Sequence, residues 1–320
     1  MNIPFDFADR LRIPLIVAPM FLVSNPKMAV AACRAGVMGS FPAHATRGVE
    51  IFEAWMEECE TALAAAEAEG EKPAPLAVNL VVHESNARLA GDLEVVIKHK
   101  VPVVLTSKGA PKDVFTRIHD YGGVTFHDVA SARHAEKALE AGADALIAVA
   151  GGAGGHCGTI NPFSLVNEIR EITDKPIILA GGMSNGRDIL AAEAMGANMV
   201  YMGTRFIATE ESLANDDYCQ SMIDGKATDI FLSAALDGAP ANWYTPSLRR
   251  AGLDPDELAV TRPGKVVTSS GQSKQRYKGI WSAGHGIGAT KRVEKTADLC
   301  QQLIGEYDSA RRDFAEAIAG

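Results

Sequence analysis

The five cysteines of this chain (Cys33, Cys59, Cys157, Cys219 and Cys300) are odd in number, widely spaced and without a CxxC pair. That excludes a disulfide framework and a paired-cysteine zinc site, and it fits a reducing compartment. There is no HExxH, so a zinc site of that kind is not expected either. Positive charge is in deficit: 31 Lys and Arg face 40 Asp and Glu, a formal net charge of -9. A phosphate-backbone binder needs a basic face, so no nucleic-acid partner is expected. No apolar run reaches the ~20 residues of a membrane span. The opening "MNIPFDFADRLRIP" has acidic residues and a proline where a secretory signal has a basic stretch and an apolar core. The expectation is a cytoplasmic protein with no membrane partner, large enough at 320 residues for one big domain or a domain with a smaller companion.

What is present is a rhythm. Short apolar runs recur at 13–19, 37–43, 76–82, 101–107, 122–129, 145–151, 176–181 and 199–204. Between them lie stretches such as "SARHAEKALEAGA" and "SNGRDILAAEAMGA", with apolar residues at helical spacing. Both end on a glycine that stops the helix and feeds the next strand. Continuously apolar strands alternating with helices imply a parallel sheet covered on both faces. Eight such units predict a closed (β/α)8 TIM barrel, with a doubly wound open sheet as the alternative.

After residue 207 the rhythm breaks. Residues 208–279 hold helix-like pieces and a loop-rich stretch, with no further strand–helix unit evident. They predict a small, mostly helical second domain inserted after strand eight. The barrel is then residues 1–207 together with 280–320. The chain returns through "GIWSAGHGIG" to a last long helix from about residue 291 to 319.

In a barrel, chemistry gathers at the C-terminal ends of the strands. Those ends carry Ala18, Pro19 and Met20 on strand one, Asn79 on strand three, Thr106 and Ser107 on strand four, and His127 on strand five. Strand seven ends in Gly181 and Gly182, with Asn185 and Gly186 opening the following helix. Strand eight ends in Gly203 and Thr204. Glycine lets backbone amides approach a phosphate, a helix N-terminus favours an anion, and the loops after strands seven and eight are the usual barrel phosphate site. The pattern predicts a bound phosphate, from cofactor or substrate. The competing use of these glycines is in tight turns.

Strand six runs into "GGAGGHCG" (151–158). This is not a GxGxxG fingerprint, because counting from Gly152 the last position is Cys157. The reading adopted is that Ala153, Gly154, Gly155 and their neighbours clear space for a flat ring, over which His156 stands. A flavin isoalloxazine fits, with its phosphate in the strand seven and eight loops. A histidine titrates near neutral pH, so His156 can take a proton or hold an anion there. The competing reading is a histidine satisfied by a loop carbonyl.

"AGGHCG", "ILAGGMSNGRDILAAEAMGANMVYMGTRFIATEES" and "GIWSAGHGIG" together resemble the nitronate monooxygenase family, also called 2-nitropropane dioxygenases. "PLIVAPM" and "PLAVNL" resemble its first and third strands. The resemblance covers nearly the whole chain and is weakest at 208–265. It implies FMN on a TIM barrel, lined by Pro19, Met20, Asn79, Ala153, Gly154, Gly155, Gly181, Gly182, Gly203 and Thr204, with His156 as the catalytic residue. Ala18, Ser107 and His127 join the cofactor set from their strand-end positions, and His127 and Asp128 read either as contacts to the flavin edge or as a local pair. The implied reaction is oxidative denitrification: a nitronate gives one electron to the flavin, and O2 carries the substrate radical on to a carbonyl compound and nitrite. Two departures stand out. Relatives often have an acidic residue at the position of Gly152, and some carry a lysine on the fifth strand, where this chain reads "FHDVAS".

Other readings stay open. The same family group includes NAD(P)H-dependent quinone and enoyl reductases, so the motif fixes cofactor better than substrate. An isomerase or aldolase on a phosphorylated substrate would use the same phosphate loops, and a flavin-binding partner protein would need no turnover. His285, in "SAGHGIG", is a substrate-contact candidate or a plain loop residue. Cys157 reads as small filler, not a redox thiol, with no resolving cysteine nearby. The basic "KQRYKG" (274–279) reads as a solvated loop, or as a lure for an anionic substrate or NAD(P)H. The oligomeric state, a homo-oligomer included, is not written in the sequence.

Overall fold

A computed structural model describes residues 3–236, 238–259 and 279–319. Eight short strands form one parallel sheet: β1 (Leu15–Val17), β2 (Ser40–Pro42), β3 (Ala77–Val81), β4 (Val103–Ser107), β5 (Val124–Val129), β6 (Ala145–Val149), β8 (Ile177–Ala180) and β9 (Met199–Met202). The spatial order is β1-β9-β8-β6-β5-β4-β3-β2. The two ends meet through the Ile16–Met38 bridge, so the sheet is a (β/α)8 TIM barrel. All eight predicted strands are present.

The helices on its outer face are α1 (Pro26–Arg34), α2 (Val49–Ala68), α3 (Leu89–Lys98), α4 (Lys112–His119), α5 (Ala132–Ala141), α6 (Pro162–Arg170), α7 (Gly186–Ala194) and α11 (Thr296–Ala319). Their starts are written locally. Asn25 accepts from the Met28 amide at 3.2 Å with Pro26 in the first turn, and Ser131 accepts from the His134 amide at 3.3 Å. α5 ends on Gly142 at φ +106, a backbone state that a side chain disfavours.

Strand parity sorts the buried side chains into two sets. Ile16, Ala77, Val103, Leu105, Phe126, Ala145, Ile147, Ile178, Ala180 and Met199 fill the barrel interior. Their immediate neighbours Leu15, Val17, Val78, Val104, Leu146, Ala148, Leu179 and Val200 pack outward against the helices. Each strand is therefore apolar on both faces, and this is why the runs read as continuous rather than alternating.

The insertion is more than helices. Its described part holds α8 (Asp216–Asp224), α9 (Thr245–Arg250) and α10 (Pro255–Ala259), together with a hairpin of β10 (Ile230–Ser233) and β11 (Ala241–Tyr244). A two-residue strand from the barrel loop, β7 (Gly155–His156), pairs antiparallel with β11 to complete a second sheet. The expectation of a mostly helical unit overlooked this sheet. Trp243, Leu248, Leu258, Ala235 and Leu236 form a small core of its own, while Tyr244 and Met222 belong to the main core. The basic stretch at 274–278 lies outside the described residues.

Among the described residues no helix is long and apolar enough to cross a membrane. Nor do they contain a group of three or more His, Cys, Asp or Glu arranged to hold a metal ion.

Candidate active site

The returning segment 279–290 organises the barrel mouth. The Gly284 amide donates to Thr204 Oγ1 at 2.8 Å, and the His285 amide donates to the Gly152 carbonyl at 2.9 Å. Tyr218 of α8 holds the segment from the other side: its hydroxyl donates to the Ser282 carbonyl at 2.6 Å, and its ring stacks on Trp281 at 5.1 Å. The Arg250 guanidinium lies over the other partner of that stack, 4.6 Å from the Trp281 ring centre.

This arrangement revises why the "GGAGGHCG" loop is bare. A Cβ on Gly154 would stand 2.9 Å from the Gly284 nitrogen, and one on Gly284 would stand 2.6 Å from the Gly152 carbonyl oxygen. A Cβ on Gly158 would stand 2.5 Å from the Val149 carbonyl oxygen. These glycines make room for neighbouring backbone. The expectation that they clear space for a ring is corrected at these positions. Gly182 differs, because a Cβ there meets nothing within 4 Å. The open surface lies at the strand seven turn.

The phosphate reading is also refined. At the start of α7, Asp188 already accepts from the amides of Ser184 (2.8 Å) and Asn185 (3.2 Å), and Asn185 accepts from the Asp188 amide (3.0 Å). The Gly186 amide donates to Glu306 of α11 at 2.9 Å. The helix start is thus capped by the protein's own carboxylates. Among the described residues, the amides of Gly182, Met183, Gly203 and Thr204 have no acceptor. They are the donors left for an anion at the ends of β8 and β9. Gly203 sits against Met20, with a Cβ there only 3.2 Å from Met20 Sδ and 3.4 Å from Ala18. Residues 182–186 also spell Gly-x-Ser-x-Gly, but Ser184 is buried, with its hydroxyl packed against Gly286 rather than raised at an exposed elbow.

His156 is exposed on β7, where it pairs with Ala241. Its placement depends on the insertion. Asn242, next along β11, is buried and donates from Nδ2 to the Ala153 carbonyl at 2.7 Å, and the Cys157 amide donates to the Pro240 carbonyl at 3.1 Å. Asn242 was not singled out by its sequence context. The only signal is a polar residue inside the apolar run "ANWY". Burial pushes the Cys157 thiol up to about 11, so it is not a thiolate at neutral pH, as expected of filler.

The remaining candidates divide. Ala18, Pro19, Met20 and Ser107 lie at strand ends, whereas Asn79 sits mid-strand in β3, donating to the Leu105 carbonyl at 3.1 Å. Gly155 forms β7 with His156, and Gly181 closes on Ala153. His285 is exposed beside Gly152. His127 is not in this group. Phe126 faces the barrel interior, so His127 faces outward, where it pairs with Thr106 Oγ1 at 2.7 Å and meets the edge of Phe115 of α4 at 5.7 Å. Burial holds its ring down to about 4, a neutral packing residue between strand and helix. A one-residue error of parity separates it from Asp128, which does face the interior.

Two further groups line the mouth. Asp128 Oδ1 is shut off from solvent with no hydrogen-bond partner, and burial raises its carboxyl to about 7. His44, just after β2, stacks on exposed Phe21 at 5.2 Å. Burial first, then the charges of Lys108 and Arg88, lower it to about 4.

The nitronate monooxygenase family model matches residues 8–306. This chain belongs to the nitronate monooxygenase family. It is 27% identical to a nitronate monooxygenase of Paraburkholderia phytofirmans, over 92% of each chain. It is 29% identical to a (3aS,4S,5R,7aS)-5-hydroxy-7a-methyl-1-oxo-octahydro-1H-indene-4-carboxyl-CoA dehydrogenase of Rhodococcus jostii, over 71% of this chain and 61% of that one. The match thus spans under two thirds of that relative's own length. Among solved structures, a nitroalkane oxidase from Streptomyces ansochromogenes superposes with a TM-score of 0.78 at 24% identity, covering 95% of this chain and 99% of the other. FabK from Thermotoga maritima superposes with a TM-score of 0.77 at 24% identity, covering 99% and 100%. The two structural likenesses speak for the fold.

Proposed function

We propose that this protein binds FMN at the barrel mouth and oxidises alkyl nitronates with O2 to carbonyl compounds and nitrite. The observation that carries the reading is the convergence on one rim of four acceptor-less amides, at Gly182, Met183, Gly203 and Thr204, with the strand that bears His156. The amides suit a phosphate. The open face at Gly182 and the unpartnered Asp128 oxygen suit a planar, polar-edged group beyond it. When bound, the flavin supplies the electron acceptor.

The chain's own residues do the rest. Gly182, Met183, Gly203 and Thr204 hold the phosphate through backbone donors. Met20 and Ala18 wall the strand-one side. His156, exposed at the rim, holds the anionic nitronate by charge and hydrogen bond, or takes the α-proton of the neutral nitroalkane at a ring nitrogen. His285 offers a second imidazole on the neighbouring segment. On this reading the partners are small molecules in the cytoplasm.

The similarity to a relative named as a dehydrogenase favours a second reading, a redox enzyme that does not act on nitronates, and an NAD(P)H-dependent reductase on the same site is its form here. One experiment separates the two. The purified, FMN-loaded protein is mixed anaerobically with a nitronate, with NADH and with NADPH, and its visible spectrum followed. A response to nitronate alone, with nitrite released once O2 is admitted, is expected. Bleaching by a nicotinamide with no response to nitronate moves the assignment to a reductase. In the same assay His156→Ala, with FMN content unchanged, is expected to lose at least about 100-fold in turnover. Parental turnover in that variant removes His156 from the mechanism.

A further inference from the structure

Asp128 is an acid without a stated purpose in the barrel mouth. It lies near the C-terminal end of β5, and strand parity points it into the interior. One carboxyl oxygen is shut off from solvent, with no donor among the described residues. The residue as a whole is half-buried, and a carboxylate oxygen shut off from solvent without a donor costs free energy. Its inward surroundings offer no relief. Ser107 on β4 and Ile147 and Val149 on β6 carry no charge, and no cation acts on the group. Tyr201, inward on β9, is a titratable group that it acts on, and Asp128 helps push that phenol further up. A pairing with lysine or arginine, the usual fate of a buried acid, is absent here among the described residues. Strain of this kind persists where it serves a site.

We propose that Asp128 sets the reduction potential of the bound flavin: its inward carboxyl meets the polar edge of the ring and, when ionised, opposes further negative charge there. The proposal rests on the FMN reading above but not on nitronate as substrate. The physical basis is like-charge repulsion across a short, poorly solvated gap. The raised carboxyl places the change from neutral donor to opposing anion near neutral pH, so the effect turns on as pH rises.

The test uses the FMN-loaded protein and sulfite, which adds to the oxidised flavin and leaves negative charge on the ring. Sulfite affinity and midpoint potential are measured at pH 6 and pH 8.5 for the parent and for Asp128→Asn, which keeps the shape and removes the charge. Asp128→Asn is expected to bind sulfite at least about tenfold tighter than the parent at pH 8.5, with a higher potential, and to match it at pH 6. Equal affinities and potentials at pH 8.5 overturn the proposal. The parent alone gives a second check should the variant load poorly: its sulfite affinity must weaken between pH 6 and pH 8.5 by more than the titration of sulfite explains, and a flat residual overturns the proposal. The outcomes separate from those of the functional reading. A protein that shows the Asp128 effect but ignores nitronate retains this role and loses that substrate. One that oxidises nitronate with no Asp128 effect does the reverse.

Discussion

His285 lies directly on Gly152: its amide donates to the Gly152 carbonyl at 2.9 Å, and its Nδ1 is 3.2 Å from where a Cβ on Gly152 would stand. Gly152 also has φ +98, which side chains disfavour. Gly152→Ala is therefore expected to cost about 1–3 kcal/mol, read as a lower melting temperature. The crowding part should shrink in a His285→Ala background, while the backbone part stays. Equal costs in both backgrounds would mean the imidazole does not press on this loop.

His127 and His44 give the acid limb of stability a definite sign. Both are held at about 4, below the usual 6.5, by burial first of all. The unfolded chain therefore binds more protons between pH 6.5 and pH 4, and stability falls as pH is lowered through that window. For His127 the full effect is roughly 3 kcal/mol. His127→Asn should flatten the loss, measured by urea unfolding at pH 7 and pH 4.5. Its FMN affinity at pH 7 should stay near the parent's, because the side chain faces the helices. A specific loss of FMN would return His127 to the site.

Asn242 ties the insertion to the histidine loop through the Ala153 carbonyl. Asn242→Ala leaves that buried carbonyl without its donor, at a cost of about 1–3 kcal/mol. Turnover should fall with FMN retained, since His156 is displaced and the phosphate amides are not. A variant that loses FMN and keeps its rate per bound flavin would contradict this division of labour.

Arg205, one residue past the Gly203–Thr204 turn, pairs with Glu294 at 3.0 Å, and both are almost wholly buried. Glu294→Ala would strand a buried guanidinium and is expected to destabilise by about 3–5 kcal/mol. Thermal unfolding of Glu294→Ala beside the double variant Glu294→Ala/Arg205→Met checks it. The double variant should recover much of the loss, and no recovery would mean that packing, not charge, explains it.

The barrel was legible because each strand is apolar on both faces and the helices carry their caps in sequence. Asn25, Ser131, Asn161 and Asn185 all cap as their positions suggest. The site was legible to the level of the loop. The sequence singles out the strand seven and eight glycines and His156 as candidates, but which neighbour each glycine serves could not be read. Gly154 and Gly284 touch across 130 residues of chain, and only the fold reveals that contact. His127 and Asp128 were both candidates for the flavin edge, and the sequence could not choose between them because facing alternates with every residue, so a shift by one reverses it. The second sheet was missed because β7 is two residues long and its partner lies 85 residues onward.

That short pairing places His156 on a different piece of the molecule from the amides proposed to anchor the cofactor. Those amides are rooted in the barrel, whereas His156 is hydrogen-bonded into a sheet whose other strands come from the insertion. Grafting another relative's insertion onto this barrel would carry the histidine's position along with it and leave the anchor where it was. On the proposed function, selection can then revise what is oxidised by altering one module, with the flavin-holding module inherited unchanged.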